Sequence, residues 1–256
     1  MTTPLPTERT AVVTGAGSPR GIGRPTCDRL ARDGWAVAVL DVDGDAAKRA
    51  AADIADAHPV ATLGIAVDIA DENAVDAAVA AVESALPPIV GLANVAGVAS
   101  PVPFLDVTPA EWDRVFGVNT RGTFLVTRRV VPAMIAQGVG RIVSVSSASA
   151  QTGGGVYSRV PYSAAKAAVI GFSRALAREL APHAITVNSV TPGPIDTDIM
   201  GGTLTDERKA EVSAGTLLRR VGTPDEVAAL IAFLCSADAG YITAATYDIN
   251  GGLHMS

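Results

Sequence analysis

The sequence is poor in the residues that build metal centres and covalent staples. Of its 256 residues only three are histidine (His58, His183, His254) and two are cysteine (Cys27, Cys235). The histidines share no ligand-like spacing with cysteines or acids, so no metal is expected. Both cysteines fall in apolar helical patterns, where two reduced core thiols fit better than a disulfide. No apolar run approaches the roughly 20 residues that a membrane span needs. The opening stretch MTTPLPTERT is polar and lacks the basic and apolar regions of a secretory signal, so a cytoplasmic protein is expected. No basic block or Lys/Arg stripe occurs and the net charge is −6, which argues against a dedicated nucleic-acid surface.

What the chain has in quantity is core material, 48% of it apolar, arranged as short apolar runs alternating with helical patterns. Strands are predicted at 10–14, 36–40, 63–67, 90–95, 141–146, 186–190 and 246–249. Helices are predicted at 21–33, 45–57, 72–86, about 109–137, about 160–181 and 223–235. The unbroken apolar run at 36–40, ending in Asp41, suits a strand buried on both faces. Residues 192–220 are rich in Gly, Pro and Thr, and their order stays open. The alternation predicts an α/β fold: a single doubly wound Rossmann-type domain over 1–256, with helices on both faces of a parallel sheet. No repeat or linker divides it, and residues 1–8 are expected to be flexible.

Two stretches carry chemistry. TGAGSPRGIG at 14–23 joins the first strand to the first helix. Glycines there permit a tight turn and let backbone amides approach a pyrophosphate, which the helix N-terminus also attracts. Asp41 lies 20 residues past Gly21, about the separation of a carboxylate that binds adenosine ribose hydroxyls. The second stretch is 146–166. Tyr162 and Lys166 are four residues apart, which puts both on one helical face. An ammonium beside a phenol favours the phenolate, bringing a group of ordinary pKa about 10 toward neutrality. Serines at the end of the preceding strand point at the same place; because side chains alternate along a strand, Ser146 and Ser147 should face opposite ways.

With these motifs in this order the chain resembles the short-chain dehydrogenase/reductase family. The resemblance runs from Thr14 to Gly252 and rests on TGAGSPRGIG, VDI at 67–69, NVAG at 94–97, VNTRG at 118–122, SVSS at 144–147, YSAAK at 162–166, PGPIDT at 192–197, LRRVGTPDEVA at 218–228 and INGG at 249–252. It implies reversible hydride transfer between a nicotinamide cofactor and a secondary alcohol or ketone. It further implies a catalytic set of Asn119, Ser147, Tyr162 and Lys166. Ser147 would hydrogen-bond the substrate oxygen, Tyr162 would exchange a proton with it, and Lys166 would lower the tyrosine pKa and hold the nicotinamide ribose. Asn119 would organise the site through its main chain and a water. The cofactor would lie against Gly15, Gly17, Arg20, Gly21, Ile22, Gly23, Asp41, Asp68, Ile69, Asn94, Ala96, Gly97, Tyr162, Lys166, Pro192, Gly193, Ile195 and Thr197. Residues 195–216 would form the substrate loop, and the assembly would be a homotetramer built on the two long helices and the C-terminal segment.

Several features depart from the family pattern. Ser18-Pro19 lengthens the glycine turn by two residues, and Ala244-Ala245 replaces the usual Gly-Gln pair. The segment between serine and tyrosine is two residues longer. Counting back from Tyr162 points to Ser149, while counting forward from the strand points to Ser147, which is favoured because a strand end fixes a side chain better than a loop. Tyr157 lacks a lysine four residues on, and Asp196 and Asp198 read as loop residues without a role. Arg20 resembles a basic residue of NADP-dependent members. Asp41 would repel a 2′-phosphate, so NAD(H) is expected over NADP(H). The substrate walls are expected at Val98, Val102, Phe104, Val156, Tyr157, Ile199, Met200 and Leu204, around a neutral or weakly polar alcohol or ketone. The rivals are an NADPH-dependent 3-oxoacyl-thioester reductase, which would want a basic docking patch, and an idle dinucleotide-binding sensor, which the intact catalytic set disfavours.

Overall fold

The structure is a computed structural model that describes residues 4–155 and 157–255. In chain order its elements are β1 (Thr10–Thr14), α1 (Gly23–Arg32), β2 (Ala36–Asp41), α2 (Gly44–Ala57), β3 (Thr62–Ala66), α3 (Glu72–Ala85) and β4 (Ile89–Asn94). They continue with α4 (Pro109–Phe116), α5 (Thr123–Gln137), β5 (Gly140–Val145), α6 (Ser149–Thr152), α7 (Val160–Leu180), β6 (Ile185–Pro192), α8 (Asp206–Ser213), α9 (Pro224–Cys235) and β7 (Thr246–Ile249). The strands form one seven-stranded parallel sheet in the order β3-β2-β1-β4-β5-β6-β7. The chain therefore builds outward from β1 to β3, crosses back, and builds the other way from β4. That reversal opens a crevice beyond the carboxyl ends of β1 and β4.

The two-residue period of each strand feeds two separate cores. Val13, Val37 and Val39 face Cys27 and Leu30 of α1, Ile54 of α2 and Ile231 of α9. Their neighbours Val12, Ala38 and Leu40 face Val79 of α3, Val126 and Val130 of α5 and Ala177 of α7. The run at 36–40 is buried throughout, as expected of a strand covered on both sides. Cys27 and Cys235 are both buried free thiols. Burial holds both well above the ordinary thiol pKa, Cys235 at about 12. Among the described residues no helix is long and apolar enough to cross a membrane, and no three His, Cys, Asp or Glu side chains gather as a metal site would require.

One local expectation needs correcting, and two other stretches take a definite form among the described residues. The helix predicted over 109–137 is interrupted by a π-helical segment, Gly117–Gly122, between α4 and α5. The open stretch 192–220 contains α8, started by the Thr205 side chain accepting the Arg208 N–H, and a short 3₁₀ turn at Asp198–Met200. The expected flexible start lies partly outside the described residues. Over 4–8 it is tied down, because Leu5 packs on the core and the Arg9 guanidinium, stacked on Trp35, donates to the Pro6 and Thr7 carbonyls.

Candidate active site

The glycine turn is built for close approach. Gly15 adopts φ +66°, and a Cβ there would sit 2.6 Å from the Ala96 Cα; a Cβ on Gly23 would sit 2.4 Å from the Gly15 carbonyl oxygen. The Thr14 hydroxyl accepts the N–H groups of Val95 and Ala96, 3.1 Å each, and so fastens the end of β4 beside the turn. The longer turn closes on itself through the Gly21 N–H to the Ser18 carbonyl, 3.2 Å. Asp41 is drawn beneath it: one carboxylate oxygen accepts the Gly17 N–H at 2.8 Å and the other the Asp43 N–H at 3.1 Å. Helix α1, with Ile22 at its N-cap position, begins without a side-chain cap and without an acid in its first turn, as α5, α6 and α7 also do. Free amides at a positive dipole end, facing a crevice with a carboxylate at its rim, suit a dinucleotide pyrophosphate and ribose.

The remaining cofactor-side residues divide by position. Ile22, Gly97, Ser147, Tyr162, Lys166, Pro192, Gly193, Ile195 and Thr197 line one cleft of about 370 Å³. Asp68 is exposed at the end of β3, one carboxylate oxygen accepting the Ala70 N–H. The Ile69 side chain is instead in the core, against Gly122 of the π-helical segment. Asn94 is buried; its amide donates to Thr127 and Ser144 and joins β4 to α5 and β5. Arg20 turns away from Asp41, and its guanidinium pairs with Asp196 and Asp198, 2.9 Å each.

The catalytic candidates meet at the ends of β5 and α7. Lys166 is buried and its ammonium donates to the Val145 carbonyl at 2.8 Å, lying 5.8 Å from the centre of the Tyr162 ring. Ser146 and Ser147 lie just past the end of β5 and both line the cleft, with different partners. The Ser146 hydroxyl donates to the Lys166 carbonyl at 2.7 Å, while the Ser147 hydroxyl accepts the Ser149 N–H at 3.1 Å and lies on the same cleft as the Tyr162 phenol. Ser149 opens α6 and its hydroxyl meets that of Ser158, 2.8 Å away. The lengthened segment is not a loose loop. It turns through α6, positive-φ Gly153 and Gly154, and a bridge between Gly155 and Ser158.

Burial pushes the Tyr162 phenol above its ordinary pKa, and the Ser147 hydroxyl pulls it back only in part. The Lys166 ammonium is aimed at the Val145 carbonyl, and burial brings its own pKa down to about 8.

Asn119 sits in the π-helical segment, fully buried, and does not line the cleft. Its amide accepts the Val98 N–H and donates to the carbonyls of Val98 and Val115, while its main-chain carbonyl accepts the Thr123 hydroxyl. It therefore braces the segment after β4. A Cβ on Gly97 would lie 2.7 Å from the Asn119 Oδ1 and 3.1 Å from the Lys166 Nζ, so that glycine is what lets brace and lysine come together.

Of the expected substrate walls, Tyr157, Ile199 and Met200 line the cleft and Val156 lies outside the described residues. Val98, Val102, Phe104 and Leu204 do not line it; Ala99, Thr152, Val212 and Leu253 do. Sequence reasoning missed the tie across this mouth, where Arg208 of α8 stacks on the Tyr157 ring and donates to its hydroxyl (3.0 Å) and to the Met200 carbonyl (2.8 Å). Arg208 lies in a stretch without periodicity, so nothing in the pattern marked it.

A family model described as enoyl-(acyl carrier protein) reductase matches residues 15–254. The chain is 42% identical over 245 residues to an uncharacterized short-chain type dehydrogenase/reductase of Sinorhizobium fredii, covering 96% of this chain and 97% of that one. It is 39% identical over 237 residues to a 3-oxoacyl-(acyl-carrier-protein) reductase of Aquifex aeolicus, covering 93% and 94%. To an acetoacetyl-CoA reductase of Allochromatium vinosum it is 38% identical over 250 residues, covering 96% and 99%.

Proposed function

The chain belongs to the short-chain dehydrogenase/reductase family and is an oxidoreductase, and on that premise we propose that it interconverts a secondary alcohol and a ketone in the cleft between α7 and the 195–216 loop, with NAD(H) as cofactor. The observation that carries the reading is the Ser147–Tyr162–Lys166 arrangement, buried at the end of an apolar cleft next to the uncapped N-terminus of α1. A bound nicotinamide supplies the hydride for reduction and takes it up in oxidation. Tyr162 is the acid that protonates the developing alkoxide, and its raised pKa keeps the phenol protonated through neutrality. Ser147 holds the same oxygen by a hydrogen bond where charge changes most. Lys166 places a cation at the cofactor's ribose side, and Asn119 positions Gly97 and Val98 as a brace.

Gly15, Gly17, Gly21 and Gly23 shape the pyrophosphate turn, Asp41 takes the ribose hydroxyls, and Ile195 and Thr197 cover the nicotinamide end. NAD(H) over NADP(H) rests on Asp41, whose carboxylate would face a 2′-phosphate, and on Arg20 being engaged elsewhere. A ketone borne on a 3-oxoacyl thioester is the second reading, favoured by the names of two relatives. Against a large basic docking surface, Arg128 and Arg129 on α5 are neutralised by Glu72 and Glu83 of α3.

The test is a panel of ketones, alcohols and 3-oxoacyl thioesters with each cofactor, followed at the nicotinamide absorbance. Turnover with NADH and simple ketones is the expected result; tight cofactor binding without any turnover would instead mark a sensor. Ser147→Ala should lose far more turnover than Ser149→Ala, and the reverse order reassigns the serine. A cytoplasmic homotetramer is part of the same proposal, supported by exposed Phe104, Leu105, Phe124, Leu217 and Leu218 and tested by light scattering after size exclusion.

A further inference from the structure

Arg20 is the only cation in the glycine turn, and its position is unusual. From the turn that lies over Asp41 it reaches to the opposite lip of the cleft, Nη2 to Asp196 Oδ1 and Nε to Asp198 Oδ1, both 2.9 Å. Asp196 is shared: its second oxygen takes the Lys209 ammonium of α8 at 2.7 Å. The turn that must receive the cofactor is thereby joined to the loop that covers the substrate. Three residues back, Gly17 is hydrogen-bonded to Asp41, the carboxylate at the adenosine ribose position. A 2′-phosphate there requires an arginine nearby. The arginine is present, and two carboxylates from another part of the chain hold it.

We propose that Asp196 and Asp198 set the cofactor preference by holding Arg20 away from the ribose, so that discrimination against NADP(H) comes from the substrate loop as well as from Asp41. They are positioning residues that act through Arg20. The arrangement needs no strong bond. Arg20 and Asp198 are each about two-fifths exposed, with side-chain exposures of 39% and 44%, so the pairs are weak and exchangeable. A competing phosphate, with charge-assisted bidentate bonding open to it, would capture the guanidinium once the carboxylates were neutral. The inference rests on the reading of the chain as a nicotinamide-dependent oxidoreductase and goes beyond it in naming what disarms Arg20.

The test is calorimetric titration of the purified protein with NADH and with NADPH, without substrate. Asp196→Asn with Asp198→Asn should tighten NADPH relative to NADH by about fivefold, the scale of one modest charge contact. Adding Arg20→Ala to that pair should abolish the gain. Asp198→Asn alone, a milder change that leaves Asp196 and Lys209 paired, should give a smaller shift of the same sign. A merely structural role would weaken both cofactors together, and that result overturns the proposal. So does a gain that survives Arg20→Ala, which would assign it to the general field of the lost carboxylates. Wild-type protein that prefers NADPH overturns the NAD(H) reading and this proposal with it, whereas an NADH preference without an Arg20-dependent shift overturns the proposal alone.

Discussion

The two walls of the cleft are held in different ways. Ser147, Tyr162 and Lys166 stand on buried elements, and main-chain groups fix them: Lys166 to the Val145 carbonyl, Ser146 to the Lys166 carbonyl, Ser147 to the Ser149 N–H. The facing wall, residues 195–216, is held by exposed charges and a stacked arginine, with Gly201 and Gly202 at positive φ between its short helical turns. Buried hydrogen bonds to backbone keep a geometry fixed, whereas exposed ion pairs are weak and screened by salt. The chemistry therefore sits on a rigid wall and selection on an adjustable one.

Breaking the rigid wall should have the largest effects. Tyr162→Phe keeps the ring and removes the proton donor, so turnover should fall about a thousandfold while NADH affinity changes little; near-normal rates would remove Tyr162 from the chemistry. Gly97→Ala drives a methyl against Asn119 and Lys166, and a displacement of that size at a reacting centre should cost about a hundredfold in kcat. A rate within twofold of wild type would show that the brace yields.

Lys166→Met separates function from stability. Burial lowers this lysine from 10.5 to about 8, so between those values the folded protein holds fewer protons than the unfolded chain. The group's contribution to stability thus rises with pH through that window and is unfavourable below it. The methionine variant should lose turnover yet gain up to about 3 kcal/mol at pH 7, with a flatter alkaline stability profile in denaturant titrations. A less stable variant at pH 7 would show that the Val145 contact outweighs the desolvation.

The adjustable wall should respond least. Tyr157→Phe removes the acceptor for Arg208 but keeps the stacked ring, and should raise KM about threefold with kcat nearly unchanged. Raising ionic strength should loosen the Arg20 and Lys209 pairs and move KM the same way, again sparing kcat. A kcat effect as large as the KM effect would place this wall in the chemistry and erase the contrast.

The strands, the helices and the Tyr162–Lys166 spacing were legible because each depends on local pattern: period two, period 3.6, and residues four apart; the order of the strands was not, because it is set by pairings between distant segments. The serine choice was legible in part, since a strand end constrains a side chain. The π-helical segment was not legible over 109–137, because an added backbone turn leaves no compositional mark, although an asparagine such as Asn119 is unfavourable in a helix interior. The sharing of Arg20 by Asp196 and Asp198 was invisible for another reason. Those residues are over 170 positions apart, and a salt bridge between distant loops has no periodicity. The Lys166 contact with the Val145 carbonyl was not legible either, because spacing reports proximity and says nothing of where an ammonium points. At Ala244 the departure from the family's usual glycine is accommodated at a cost, φ +58°, with its N–H still bonded to the Val187 carbonyl.

The two cysteines, set deep in α1 and α9, give the molecule a practical property. Thiolate is the form that reacts with alkylating and oxidising reagents, and here neither sulfur is exposed or readily ionised. The native surface should therefore be silent to maleimides, and a single cysteine introduced at an exposed site such as Glu207 of α8 should be the sole point of attachment for a fluorophore or spin label.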